Sequence, residues 1–216
     1  MRMYAIAKIF QVITYWPIYL TLKFFVHFKI EGQENLKGLE DKAIIFASNH
    51  ASYIDGPICA ASMPREGFYP KRFFPIRFLA LDKYFRYRYL LVALYVWING
   101  SIKISRTGGD LRKSLMNAID ALNNNACVWI YPEGRMTRDG NLQPGKRGVA
   151  FLHQETGAPI VPVGIIGNYG ILSFGTLLRK NKLKVRVGKP IYSLGNLSFE
   201  KGTDIVMNRI AELLIL

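Results

Sequence analysis

The stretch Ala43-Ile44-Ile45-Phe46-Ala47-Ser48-Asn49-His50-Ala51-Ser52-Tyr53-Ile54-Asp55 changes character in its middle. The first five residues are an apolar run after the polar residues Glu31 to Lys42, the pattern of a short buried strand. The rest carries an imidazole and a carboxylate, and Asp55 to Ala61 begins a helix. Outward from this unit the alternation repeats. Pro75 to Leu81 reads as a strand and Lys83 to Ile98 as an aromatic, basic helix. After the Asn99-Gly100 turn, Ile102 and Ile104 alternate with Lys103 and Ser105, the period of a half-buried strand. Leu111, Leu115, Ala118, Ile119 and Leu122 keep the period of an amphipathic helix with Asp110 as its N-cap. Cys127 to Tyr131 reads as a strand, Gly145 to Thr156 as a helix, Ile160 to Ile166 and Leu183 to Val187 as strands, and Phe199 to Leu216 as a closing helix. The expected architecture is an α/β domain with a single central mixed sheet covered by helices.

Composition narrows the class. The chain has 216 residues, half of them hydrophobic, with 29 Lys+Arg against 15 Asp+Glu, a formal charge of +14. That is enough apolar material for one domain's core, which excludes a disordered polycation and a disulfide miniprotein. The charge calls for a polyanionic partner: nucleic acid, an anionic membrane, or a phosphorylated or CoA-like ligand. Cys59 and Cys127 sit among apolar neighbours and read as buried thiols. No metal constellation is found, and His27 and His153 are isolated.

Met1 to Ile30 is apolar, contains Arg2, Lys8, Lys23 and Lys29, and has no acid. It lacks the cleavage site of a signal peptide. Its uncharged run from Ile9 to Leu22, interrupted by Pro17, is short of a bilayer span. Residues 1–30 are therefore expected to form an amphipathic, aromatic helix pair as a membrane-docking segment, with Tyr15, Trp16, Tyr19, Phe24, Phe25 and Phe28 inserted, and residues 31–216 the α/β domain. The segment Phe68 to Tyr89 interleaves aromatic and basic residues and reads as part of the same docking face. Such interleaving also occurs in single-stranded nucleic-acid binders. A nucleic-acid-binding protein is thus the alternative from another class, although no recognition motif supports it.

Ligands of open α/β sheets gather where strands end and helices begin, and the unusual residues fall at those joints. At the first, Asn49 and His50 precede Asp55. Residues five apart on an ideal helix are 140° out of phase, so His50 and Asp55 meet only if the histidine sits in the turn before the helix. A carboxylate on one imidazole nitrogen fixes the tautomer and leaves the other as a base; on spacing alone, a structural capping role is the default reading. At the second, Gly100-Ser101-Ile102-Lys103-Ile104-Ser105-Arg106 delivers an arginine, whose planar fork grips phosphate, into a glycine-containing loop. At the third, Tyr131-Pro132-Glu133-Gly134-Arg135-Met136 places a carboxylate, a flexible glycine and a guanidinium together.

Taken in order, these blocks resemble those of the glycerolipid acyltransferases typified by bacterial 1-acyl-glycerol-3-phosphate acyltransferase. Asn49-His50 with Asp55 is similar to the family's NHxxxxD catalytic block, and Gly100 through Arg106 to its GxxxxxR block. Pro132-Glu133-Gly134 is similar to PEGTR, and Ala158-Pro159-Ile160-Val161-Pro162-Val163 to its hydrophobic fourth block. The third block departs from the pattern, since Arg135-Met136 stands where Thr-Arg is usual. Enzymes that reacylate lysophosphatidylethanolamine show a similar variant.

The resemblance implies a lysophospholipid O-acyltransferase making phosphatidic acid, with another lysolipid acceptor as the alternative. His50 would be the general base and Asp55 its orienting carboxylate. Asn49, Gly100, Lys103, Arg106, Glu133, Gly134 and Arg135 would bind substrate, with Arg106 on the acceptor phosphate. No cofactor is implied beyond acyl-CoA or acyl carrier protein as co-substrate. An anionic membrane surface and a lysophospholipid are the implied partners, no nucleic acid is expected, and the location is monotopic on the cytoplasmic face of a membrane.

Overall fold

The computed structural model describes residues 2–67, 73–85, 90–105, 110–173 and 182–215. Among them seven strands form one mixed sheet in the order β1-β7-β6-β2-β5-β3-β4. The strands are β1 His27–Glu31, β2 Ile44–Ser48, β3 Ile76–Leu81, β4 Ile102–Ile104, β5 Cys127–Ile130, β6 Ile160–Ile166 and β7 Lys182–Val187. All neighbouring pairs are parallel except β6 with β7. Burial follows position in the sheet. Every residue of the central strands β2 and β5 is buried, which explains their unbroken apolar runs, whereas β7 near the edge alternates.

The helices are α1 Arg2–Phe25, α2 Asp55–Ala61, α3 Leu90–Ile98, α4 Leu111–Asn123, α5 Gly148–Thr156 and α6 Phe199–Leu214. α1 and α2 cover one face of the sheet, and α4, α5 and α6 the other, each over its own apolar core. α4 begins where Asp110 accepts from Lys113 N at 3.0 Å, as its capping pattern requires. Of the expected helix from Lys83 to Ile98, residues 83–85 belong to a 3₁₀ turn at Asp82–Phe85 and Leu90–Ile98 are α3, with residues 86–89 outside the described set.

The amino-terminal region differs from expectation in three ways. First, α1 is one helix of 24 residues that continues through Pro17. The proline ring sits on the exposed side, so the missing backbone donor is not left in the core. Second, the helix is part of the fold. Ala7, Gln11, Tyr15 and Leu22 form a buried stripe at four- and seven-residue spacing. The Gln11 side-chain amide donates to Ile76 O and to Asn99 O, both at 2.9 Å, and accepts from Ile76 N at 2.8 Å, fastening α1 to β3 and to the end of α3. Third, residues 27–31 are a strand paired with β7, so the expected division at residue 30 falls inside the sheet. Tyr15 and Phe28, expected to insert into lipid, are core residues exposed by 1% and 2%. Phe24 does remain on the surface.

Candidate active site

β2, β3, β4, β5 and β6 all run the same way, so their carboxyl ends open on one side of the sheet. There β2 passes through residues 49–54 into α2. Asp55, the first residue of α2, is fully buried and His50 lies in the turn before it. Asp55 Oδ2 sits 2.8 Å from His50 Nδ1 and accepts from Ala51 N at 2.8 Å and Ser52 N at 2.9 Å. Oδ1 accepts from Asn168 Nδ2 at 2.9 Å. An oxygen taking two backbone N–H groups is an acceptor, so Nδ1 carries the proton in the neutral ring and Nε2 keeps its lone pair. The His50 side chain is 24% exposed, and its ring stacks on Tyr131 with centroids 4.1 Å apart and planes 16° from parallel. Spacing alone makes capping the default, but no side chain caps α2; Asp55 instead ties the turn ahead of the helix and holds the imidazole.

The third block comes to the same place as scaffold. Glu133 Oε1 accepts from His50 N at 2.8 Å and Oε2 from Gln143 N at 3.0 Å, so its carboxylate joins two loops, and among the described residues no arginine donates to it. Burial raises the Glu133 carboxyl above its ordinary value of 4.5, against the lowering effect of those two bonds. Thr137 N donates to His50 O at 2.8 Å. Asp139 accepts from Thr137 Oγ1, Asn141 N and Nδ2, and Gln143 Nε2, closing loop 137–143. Gly134 has φ +68°, and a β-carbon there would stand 3.0 Å from Lys146 Cδ, so the glycine lets the lysine stem lie across the turn. Arg135 is exposed and forms no hydrogen bond or ion pair among the described residues.

The other residues assigned to substrate stand in different settings. Asn49 is buried, and its amide exchanges two bonds with Ile165, Nδ2 to O at 2.9 Å and N to Oδ1 at 2.8 Å. It clamps β2 to β6 with one donor and one acceptor site of the amide. Gly100 has φ +69°, and a β-carbon on it would lie 2.6 Å from Ala7 Cβ. It makes room for α1 ahead of β4, away from the carboxyl ends of the strands. Lys103 sits on the edge strand, three strands from β2, or about 14 Å across the sheet. It lines a hollow of about 490 Å³ with Tyr4, Arg77, Trp97 and Asn117, which includes no residue of the dyad. Arg106 lies outside the described residues, as do Phe68, Tyr69, Lys71, Arg72, Arg86, Tyr87, Arg88 and Tyr89.

A thiol, Cys59, and a phenol, Tyr131, complete the surroundings. Cys59 and Cys127 are free and buried. Burial pushes the Cys59 thiol and the Tyr131 phenol well above their ordinary values, and the Asp55 charge acts the same way on both. Neither is an activated nucleophile. Asn168, Thr137, Gln143 and Asp139 have no counterpart in the sequence reading; the Asp139-Gly140 pair was the one local signal, a turn.

The fold and the site thus define a class: a mixed-sheet α/β protein with a buried Asp orienting a half-exposed His at the carboxyl end of a central strand. Residues 27–166 match the family model described as Acyltransferase, and the chain belongs to that family. It is 27% identical over 195 residues to a chloroplastic 1-acyl-sn-glycerol-3-phosphate acyltransferase of Brassica napus, covering 87% of this chain and 49% of the relative. It is 28% identical over 149 residues to the human 1-acyl-sn-glycerol-3-phosphate acyltransferase beta, covering 66% of this chain and 48% of that one. The chain spans about half the length of the curated relatives it matches. The fold resembles the crystal structure of the 1-acyl-sn-glycerophosphate acyltransferase from Thermotoga maritima, with a TM-score of 0.66 and 21% identity over 92% of this chain and 77% of that one.

Proposed function

We propose that the chain transfers a fatty acyl group from acyl-CoA or acyl carrier protein to the free hydroxyl of 1-acyl-glycerol-3-phosphate, giving phosphatidic acid. The observation that carries this reading is the 2.8 Å contact between His50 Nδ1 and buried Asp55, with Nε2 left as a base on the open side. Nε2 takes the acceptor hydroxyl's proton as that oxygen attacks the thioester carbonyl. The C–S bond breaks, and the imidazolium returns the proton to the departing thiolate. Asp55 holds the ring and balances its charge meanwhile. Transfer is direct, because the buried thiols and Tyr131 are inactivated by burial and no GxSxG elbow is present. The substrate class follows the names of the relatives; Arg106, Arg135 and Lys146 are the cations offered to the phosphate. The Arg135-Met136 variant favours testing lysophosphatidylethanolamine as a second acceptor.

The reading includes monotopic attachment to the cytoplasmic face of an anionic membrane. Among the described residues one helix, over Tyr4–Phe25, is long and apolar enough to cross a bilayer by length and composition. Its buried stripe and the Gln11 bonds support lying along the protein instead. Its outer residues Ile6, Ile9, Ile13, Leu20 and Phe24 are exposed, as are Leu90, Leu91, Leu94 and Trp97 of α3. Phe10 and Tyr95 join the two helices edge to face at 6.5 Å.

One assay tests the chemistry: purified protein with labelled acyl-CoA or acyl carrier protein against a panel of lysolipids. Product from lysophosphatidic acid, lost in His50→Ala, is the expected result. A trapped acyl-enzyme would overturn direct transfer, and silence across the panel would overturn the reading.

A further inference from the structure

We propose that Asn168 is a positioning residue of the His50–Asp55 pair, holding the one carboxylate oxygen that the catalytic turn cannot hold itself. This rests on the acyltransferase reading for its kinetic consequence, not for its geometry. Asp55 Oδ2 takes all its donors from residues 50, 51 and 52, within the turn that Asp55 closes. A carboxylate fixed through one oxygen can still swing about the bond to its β-carbon. Oδ1 is held from elsewhere in the fold, by Asn168 Nδ2 at 2.9 Å, 113 residues away in sequence. Asn168 is itself 3% exposed.

The backbone is shaped for this contact. Asn168 follows β6 through Gly167, whose φ is +81° and whose β-carbon, if present, would lie 1.9 Å from Lys182 O. Only glycine lets the chain press onto β7 there and turn the next residue back toward α2. β6 therefore grips the catalytic turn at both ends, through Ile165 on Asn49 and Asn168 on Asp55. An amide suits the second position better than a charged donor. It fills the lone pair without adding a cation that would weaken the pull of Asp55 on the imidazolium. The titratable groups around Asp55 are His50 from the turn, Cys59 on α2, and Tyr131 and Glu133 after β5. None of them reaches Oδ1.

The test uses the full chain carrying ¹⁵N-labelled histidine, with Asn168→Ala and the isosteric Asn168→Asp. In the parent, the His50 ring shows the Nδ1–H tautomer in the absence of any substrate. In Asn168→Ala that population becomes mixed, and kcat falls about ten- to hundredfold while both KM values stay within about twofold, the signature of lost orientation. In Asn168→Asp the two facing carboxyls share a proton at acid pH, where the protonated oxygen donates as the amide did. Activity relative to the parent is therefore near normal at low pH and declines as pH rises. A purely structural asparagine would give a ratio independent of pH. An unchanged tautomer in Asn168→Ala, or a pH-independent ratio in Asn168→Asp, overturns the proposal, and the second variant serves if the first fails to fold. If the tautomer shifts while parent and variants alike transfer no acyl group, the positioning role stands and the acyltransferase reading fails.

Discussion

Two sets of charged and polar groups meet at the mouth of the sheet, and they are held in opposite ways. Asp55, Glu133 and Asn49 are buried, and their side-chain oxygens accept from backbone N–H groups, from His50 and from Asn168. Arg135, Arg138 and Lys146 are exposed and form no ion pair with any described residue. The acids here are spent on geometry and the cations are not. A buried carboxylate with both oxygens hydrogen-bonded is held in place, whereas an unpaired surface cation keeps its charge for an incoming anion. Position and binding are thus assigned to different residues, and substitutions in the two sets will fail differently.

The largest effect belongs to the inner set. His50→Ala lowers kcat by about a hundredfold or more, the scale of general acid–base catalysis, with little loss of stability because the ring is partly exposed. Asp55→Ala loses activity similarly but also destabilises the protein by on the order of 3 kcal/mol, since several buried donors lose their acceptor. Urea unfolding beside steady-state kinetics separates the two. Equal stability losses would erase the distinction between base and anchor.

Glu133→Gln probes the scaffold one bond further out. Because burial raises the folded-state carboxyl above 4.5, the folded state binds that proton more tightly than the unfolded one. Its contribution to stability is fully present below about 4.5 and is lost as pH rises through the raised value. The stability gap between parent and Glu133→Gln is therefore wider at pH 4 than at pH 7, read by urea titration at each. A gap that widens toward neutral pH would show the two backbone bonds outweighing burial.

The rim gives the next effect. Arg135→Ala and Lys146→Ala each raise the acceptor KM several-fold, leave the thioester KM alone, and change stability by less than about 0.5 kcal/mol, as surface substitutions do. A loss of kcat without a change in KM would place these cations with the inner set.

The same division explains what was legible in the sequence. The strand at Ile44–Ser48 and the helix at Leu111–Asn123 are written in local periodicity and caps, so they could be read directly. The blocks around His50 and Glu133 were legible because their residues are close in sequence. What was missed depends on distant partners. β1 reads like a continuation of the apolar helix before it and becomes a strand only because β7 lies beside it, 155 residues on from His27 to Lys182. Gly100 and Asn49 are in the family-like blocks, yet the fold spends them on α1 and on β6. Asn168 carries no local signal, since its one telling contact spans 113 residues.

The smallest effect lies where the two sets touch, in the loop between Thr137 and Gln143. Its ends bond to His50 O and to Glu133, and its middle is tied by Asp139, an exposed acid whose bonds from Asn141 and Thr137 hold its carboxyl down to about 2. A depressed carboxyl stabilises the folded state above its ordinary value of 3.8 and loses that contribution as pH falls through about 2. The melting temperature of the parent should therefore drop more steeply between pH 4 and pH 2 than that of Asp139→Asn. At neutral pH the variant should lose a few-fold in kcat, because the loop end that fixes the His50 carbonyl is loosened. Arg138, beside it in sequence, should show neither effect on substitution by alanine, since its side chain ties no part of the loop. If Arg138→Ala flattened the acid limb as Asp139→Asn does, the loop would be held by an ion pair, and the rim cations would no longer be free of the scaffold.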